Sequence, residues 1–173
     1  MSATDPIPPP RPPVRGADGL AGSPRTLHPV RASSKIRARH RDRMALVYVR
    51  QSSPQQVREH RESGALQYDL VRLAEDLGWP PTRVEVIDDD QGRGAESVEG
   101  RLGFQRLLAE VGLDHVGIIV GIDMSRLARS CKDWHQLLEL CAIFGTILAD
   151  QDGVYDPTDY NDRLLLGLKR HIA

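Results

Sequence analysis

Four short apolar runs, separated by longer amphipathic stretches, constrain this chain more than any other feature. Met44-Ala45-Leu46-Val47-Tyr48-Val49, Val84-Glu85-Val86-Ile87, Val116-Gly117-Ile118-Ile119-Val120-Gly121-Ile122 and Thr146-Ile147-Leu148-Ala149 are rich in β-branched residues. Strands of this kind bury both faces, which is the habit of parallel sheets. Between the first two, Leu66, Leu70, Leu73 and Leu77 recur at helical spacing and stop at Gly78, the pattern of an amphipathic helix with a glycine terminus. A second helix is expected over 101–111, with Leu102, Leu107, Leu108 and Val111 on its apolar face. A third carries Trp134, Leu137, Leu138, Cys141 and Ala142. Strands alternating with helices predict βαβ units with right-handed crossovers, and so an α/β three-layer sandwich around a mostly parallel sheet.

Composition narrows the setting. The 173 residues carry 23 basic and 24 acidic side chains, and that near-balance hides a division. Residues 1–43 hold nine basic groups against three acidic ones and are rich in proline, so the rest of the chain is acidic. The first segment has too few large apolar residues to offset the entropy of ordering it, and reads as a disordered basic tail with the folded domain beginning at 44. A flexible basic arm could contact DNA phosphates; a solvated extension is the plainer alternative. No run reaches the ~20 apolar residues of a membrane-spanning helix, and no secretory leader is recognisable, which makes the cytoplasm the expected compartment. Cys131 and Cys141 lack metal-ligand spacing and read as buried apolar residues; Trp134 and Phe144 read as core, Trp79 as packing on a loop, and His115 and His135 as surface groups without partners.

In sheets of this type, functional groups gather beyond the C-terminal strand ends. There the chain places Arg50-Gln51-Ser52-Ser53, then Asp88-Asp89-Asp90-Gln91-Gly92-Arg93-Gly94, then Asp123-Met124-Ser125-Arg126-Leu127-Ala128-Arg129. Arg126 and Arg129 are expected at a helix start, three residues apart and able to project to one side. Guanidinium forks match the oxygens of a phosphate and stay charged, which favours phosphoryl over carbonyl chemistry. Ser52 or Ser53 is the available nucleophile, and no histidine stands near either to form a Ser-His-Asp relay. Two other readings compete: arginines that merely cap and salt-bridge Asp88 to Asp90, and a metal-dependent phosphohydrolase in which those aspartates hold Mg²⁺.

These residues also carry a resemblance. Tyr48-Val49-Arg50-Gln51-Ser52 followed by Gln55-Gln56 is similar to the Tyr-x-Arg-x-Ser motif of the serine recombinases, the resolvase/invertase family. Ser125-Arg126-Leu127-Ala128-Arg129-Ser130 resembles that family's second signature, and Arg101-Leu102-Gly103-Phe104 its Arg-x-Gly-Phe helix. The stretch from Asp152 to Leu164 looks like a transposon- and phage-associated branch. The resemblance implies that Ser52 attacks a DNA phosphodiester to leave a 5′-phosphoserine linkage and a free 3′-hydroxyl. It further implies that Arg50, Arg126 and Arg129 hold the scissile phosphate, and that Tyr48, Gln56, Gln67, Arg101 and Ser125 support the site. No cofactor or metal is implied. DNA is the implied partner, with a homodimer or tetramer, or a full-length recombinase, as protein partner. Gly94 stands where the family commonly has a loop serine, and Ser125 where many members carry aspartate. The long C-terminal helix and DNA-binding region of the family are not found before Ala173, so a truncated catalytic domain is expected, with an inactive interaction module as the alternative.

Overall fold

The computed structural model describes residues 33–50, 60–89 and 102–172. Five strands form one sheet: β1 (Met44–Val49), β2 (Val84–Asp88), β3 (Val116–Val120), β4 (Ile147–Ala149) and β5 (Val154–Tyr155). Their order is β2-β1-β3-β4-β5, and every pairing is parallel except β4 with β5. Among the described residues, five α-helices accompany them: α1 (Ala38–Arg41), α2 (His60–Asp76), α3 (Leu102–Gly112), α4 (Cys131–Phe144) and α5 (Tyr160–Ile172).

The pleat sorts the strand side chains into two cores. Ala45, Val47, Val49, Ile118, Val120, Ile147 and Ala149 point to one face, where Leu70, Leu73 and Ala74 of α2 and Leu77 just after it cover them. Leu46, Tyr48, Ile119 and Leu148 point to the other and pack against Leu107 and Val111 of α3, Leu137, Leu138 and Cys141 of α4, and Leu166 of α5. This is the expected three-layer α/β sandwich. Period-two alternation through strands apolar at both parities produces the two faces.

The helix ends follow local chemistry. Ser130 Oγ accepts the Asp133 N–H at 3.1 Å to begin α4, satisfying one of the donors a helix start leaves free. Gly145, at φ 66°, ends it in a left-handed conformation that a Cβ would strain. In α5, Asp159 Oδ1 accepts the Asp162 N–H at 3.0 Å.

Several expectations change. Residues 33–43, assigned above to the tail, take part in the fold: Ile36 and His40 are buried, and Lys35 Nζ reaches Asp162 Oδ1 at 2.8 Å and the Val154 carbonyl at 3.1 Å. Arg43 donates to the Phe144 and Gly145 carbonyls, both at 2.9 Å, at the C-terminal end of α4. Residues 1–32 lie outside the described residues. Gly117 lets α1 lie against β3, since an added Cβ would overlap the His40 carbonyl oxygen and stand 2.6 Å from its carbon. Trp79 belongs to the core beneath α2, with its indole N–H donating to the Arg43 carbonyl at 2.9 Å. Cys131 is exposed at the start of α4 while Cys141 is buried, and His115 pairs with Glu110 at 2.8 Å. Among the described residues no helix is long and apolar enough to cross a membrane.

Candidate active site at the strand ends

The parallel order places the C-terminal ends of β2, β1 and β3 side by side, with β1 in the middle. Arg50 follows β1 directly. Asp88 closes β2 opposite Val49, and the Asp89 N–H donates to the Val49 carbonyl at 3.0 Å. Segments far apart in sequence are thereby delivered to one edge.

Asp89 organises the centre of that edge. One carboxylate oxygen accepts the Tyr48 hydroxyl at 2.5 Å, and the other accepts the Gly103 N–H at 2.8 Å. The second bond caps α3 from a neighbouring strand, at the end where free N–H groups and the helix dipole favour an anion. Burial first, then the hydrogen bond and charge of Asp89, push the Tyr48 phenol far up; Arg50 and Arg129 pull the other way. Tyr48 therefore stays protonated and serves as a donor, while two of the arginines act on its hydroxyl from β1 and from the segment after β3.

Asp88 accepts from Gln67 Nε2 at 2.6 Å, so Gln67 of α2 stands at the same edge. Arg126 closes a 3-10 turn over Met124–Arg126, and Arg129 lies in the segment leading to α4. This corrects the expectation that both occupy the start of one helix. Their i, i+3 relation is not that of one α-helical face, because Ser130 caps α4 only afterwards. Both side chains are exposed, whereas the Ser125 hydroxyl and Arg50 Nε are buried with no hydrogen-bond partner among the described residues. None of the three arginines forms an ion pair among those residues. A cavity of about 260 Å³ opens beside Arg129, lined by that residue with Tyr48, Phe104, Leu108, Leu127 and Asp133. Ser52, Ser53, Gln56, Arg93, Gly94 and Arg101 lie outside the described residues.

The sequence reading missed the roles of Asp89, Asp150 and α5. Asp89 was one of three consecutive aspartates with nothing to single it out, although Gly103 fourteen residues later is its signal: a Cβ there would meet the Asp89 carboxylate. Both Asp89 oxygens are engaged by donors, and no group of three His, Cys, Asp or Glu able to hold a metal occurs among the described residues.

Residues 45–173 match the family model described as Resolvase, N terminal domain. The chain belongs to the resolvase family. This resolvase domain is 53% identical over 135 residues to the uncharacterized protein y4bA/y4pH of Sinorhizobium fredii (strain NBRC 101917 / NGR234), an alignment that takes in 78% of this chain and 20% of that protein. The chain thus spans about a fifth of the length of that curated relative. Among solved structures, it is similar to the N-terminal catalytic domain of TP901-1 integrase, with a TM-score of 0.53 and 20% identity over 75% of this chain and 93% of that one. At that identity the likeness establishes the fold.

Proposed function

We propose that the folded part of the chain, from residue 33 onward, forms the catalytic domain of a site-specific DNA recombinase that cleaves and rejoins strands through a phosphoserine. The observation that carries the reading is the convergence of Arg50, Arg126 and Arg129 on one strand-end edge with no carboxylate partner among the described residues. Guanidinium groups gathered at such an edge suit a phosphodiester, whose non-bridging oxygens they bind in fork geometry and whose developing charge they stabilise. Ser52, two residues beyond Arg50, supplies the nucleophile. Its oxygen bonds to phosphorus, the 3′-oxygen leaves with a proton, and the reverse attack restores the phosphodiester. The bond energy is kept in the phosphoserine, so rejoining requires neither nucleotide hydrolysis nor a metal. Tyr48, held protonated by burial and by Asp89, orients the edge as a donor. Gln56, Gln67, Arg101 and Ser125 support the phosphate network. DNA is the substrate of this reaction, and the protein partner is a second copy of the chain, in a homodimer or tetramer, or a full-length recombinase that the domain joins.

The test is a pool of nicked suicide duplexes of randomised sequence, in which cleavage releases a short strand and traps the covalent adduct. Wild-type protein forms adducts that persist in EDTA, and Ser52→Ala forms none. Adducts retained by Ser52→Ala would remove Ser52 from the mechanism. Nicking abolished by chelation would favour a metal-dependent phosphohydrolase instead.

A further inference from the structure

We infer that Arg170, near the C-terminal end of α5, is a positioning residue that sets the reach of Arg126 and Arg129. The inference rests on the function proposed above and deepens it. One guanidinium nitrogen, Nη1, donates to the carbonyl oxygens of Ser125 and Ala128, each at 2.8 Å. Those carbonyls belong to the peptide units that lead into Arg126 and Arg129. A single planar cation therefore clamps the backbone immediately before both phosphate-binding side chains.

The segment needs an external clamp. Within it, the 3-10 turn supplies only short-range bonds, from Arg126 N to the Asp123 carbonyl at 3.0 Å and from Leu127 N to the Met124 carbonyl at 3.3 Å. No backbone N–H among the described residues donates to the Ser125 or Ala128 carbonyl, and carbonyls left without donors in a half-buried setting are costly. A charged donor compensates strongly. The residue before it works on the same segment from the other end: Lys169 Nζ holds Asp150 Oδ2 at 3.1 Å, and that same oxygen accepts the Met124 N–H at 3.3 Å. Leu166, one turn earlier, is buried in the core and fixes the helix that carries both.

This arrangement makes the docking of α5 a condition for a formed phosphate site. Displacement of the two arginines by an ångström or so lowers the rate of a reaction that depends on alignment while leaving binding to the rest of the DNA largely intact. The structural separation is favourable for testing this, because Arg170 acts through peptide carbonyls and Arg126 and Arg129 through their side chains.

The experiment compares wild type, Arg170→Ala and Arg170→Lys in two measurements. Amide hydrogen exchange reads the segment itself: loss of two charge-assisted bonds should speed exchange at residues 124–130 about tenfold or more, with β1 and α2 unchanged. Adduct formation on a suicide duplex that wild type cleaves should fall at saturating DNA by about tenfold or more, with half-saturating DNA shifted by less than about threefold. Arg170→Lys keeps charge and stem but loses the planar fork, and should be intermediate in both. Unchanged exchange at 124–130 in folded Arg170→Ala overturns the inference. So does a rise in half-saturating DNA at unchanged maximal rate that Lys fully restores, which would make Arg170 a phosphate contact. If wild type forms no adduct while exchange still accelerates in the variant, the clamp stands and the recombinase reading fails. Should Arg170→Ala not fold, the same readings on Arg170→Lys decide.

Discussion

At the scale of single residues, a few polar groups are held where water is scarce, and each has consequences. His40 is buried, with Nδ1 accepting the Arg37 N–H at 2.9 Å and Nε2 without a partner among the described residues. Burial, reinforced by Arg39 and Arg43, lowers its pKa from 6.5 to about 4. The unfolded chain therefore takes up the proton first. Stability from this group is complete above pH 6.5 and is lost as pH falls from 6.5 toward 4, by about 1.4 kcal/mol per pH unit at most. Urea unfolding at a series of pH values should show that decline in wild type and a flatter profile in His40→Gln; parallel profiles would mean other groups are responsible. Cys141, pushed up to about 12 by burial, stays an inert thiol. The distinction from exposed Cys131 was not readable from spacing, since both cysteines sit at apolar-looking positions of one helix.

Between elements, the decisive contacts are side chains of one segment satisfying the backbone of another. Asp89, just beyond β2, caps α3 through Gly103, and a Cβ at that glycine would stand 2.6 Å from the Asp89 carboxyl carbon and 3.1 Å from Ile87 Cγ2. Gly103→Ala must push α3 outward or break the Asp89 bridge to Tyr48, at a cost of about 1–3 kcal/mol. A melting curve measures that loss, and adduct formation on the suicide duplex should weaken with it. Stability equal to wild type would show that the edge adapts without cost. The helices α2, α3 and α4 were legible because apolar residues recur at helical spacing, and Gly78 marks the end of α2. The strand β5 was not, because two residues carry no periodicity and its pairing with β4 depends on a turn in which Asp150 Oδ1 accepts the N–H groups of Asp152 at 2.9 Å and Gly153 at 3.2 Å. Nor was α5 read as a helix of this fold, since Tyr160, Leu164, Leu165 and Leu168 are exposed and, among its described apolar side chains, only Leu166 enters the core. Its apolar residues do not trace the buried face.

For the molecule as a whole, the segment before β1 is a tertiary clasp. Ile36 is buried with the α2-side core, Lys35 grips α5, and Arg43 grips the end of α4. Removing residues 33–43 should destabilise the domain by about 3 kcal/mol or more, the sum of one buried aliphatic side chain and several charge-assisted hydrogen bonds. Comparing the denaturation midpoints of chains beginning at 33 and at 44 tests this; equal midpoints would return the segment to the status of a tail. Composition alone pointed the other way because basic, proline-rich sequence averages over 43 residues, while the ordering of the last eleven depends on individual partners far along the chain.

The sequence by itself determined the class of the fold, the two-sided burial of its strands and the strand-end edge to which Arg50, Asp89, Arg126 and Arg129 are brought. Strand runs and helical periodicity are local properties, and the parallel crossover rule extends them to an architecture. Only the tertiary structure decided which aspartate caps α3, that Arg126 and Arg129 precede α4 instead of opening it, and that α5 reaches back to clamp them. The first and the last are hydrogen bonds between groups separated by 14 to 45 residues, whose partners become neighbours only after the sheet has brought its strand ends together, while the second follows from the Ser130 cap of α4.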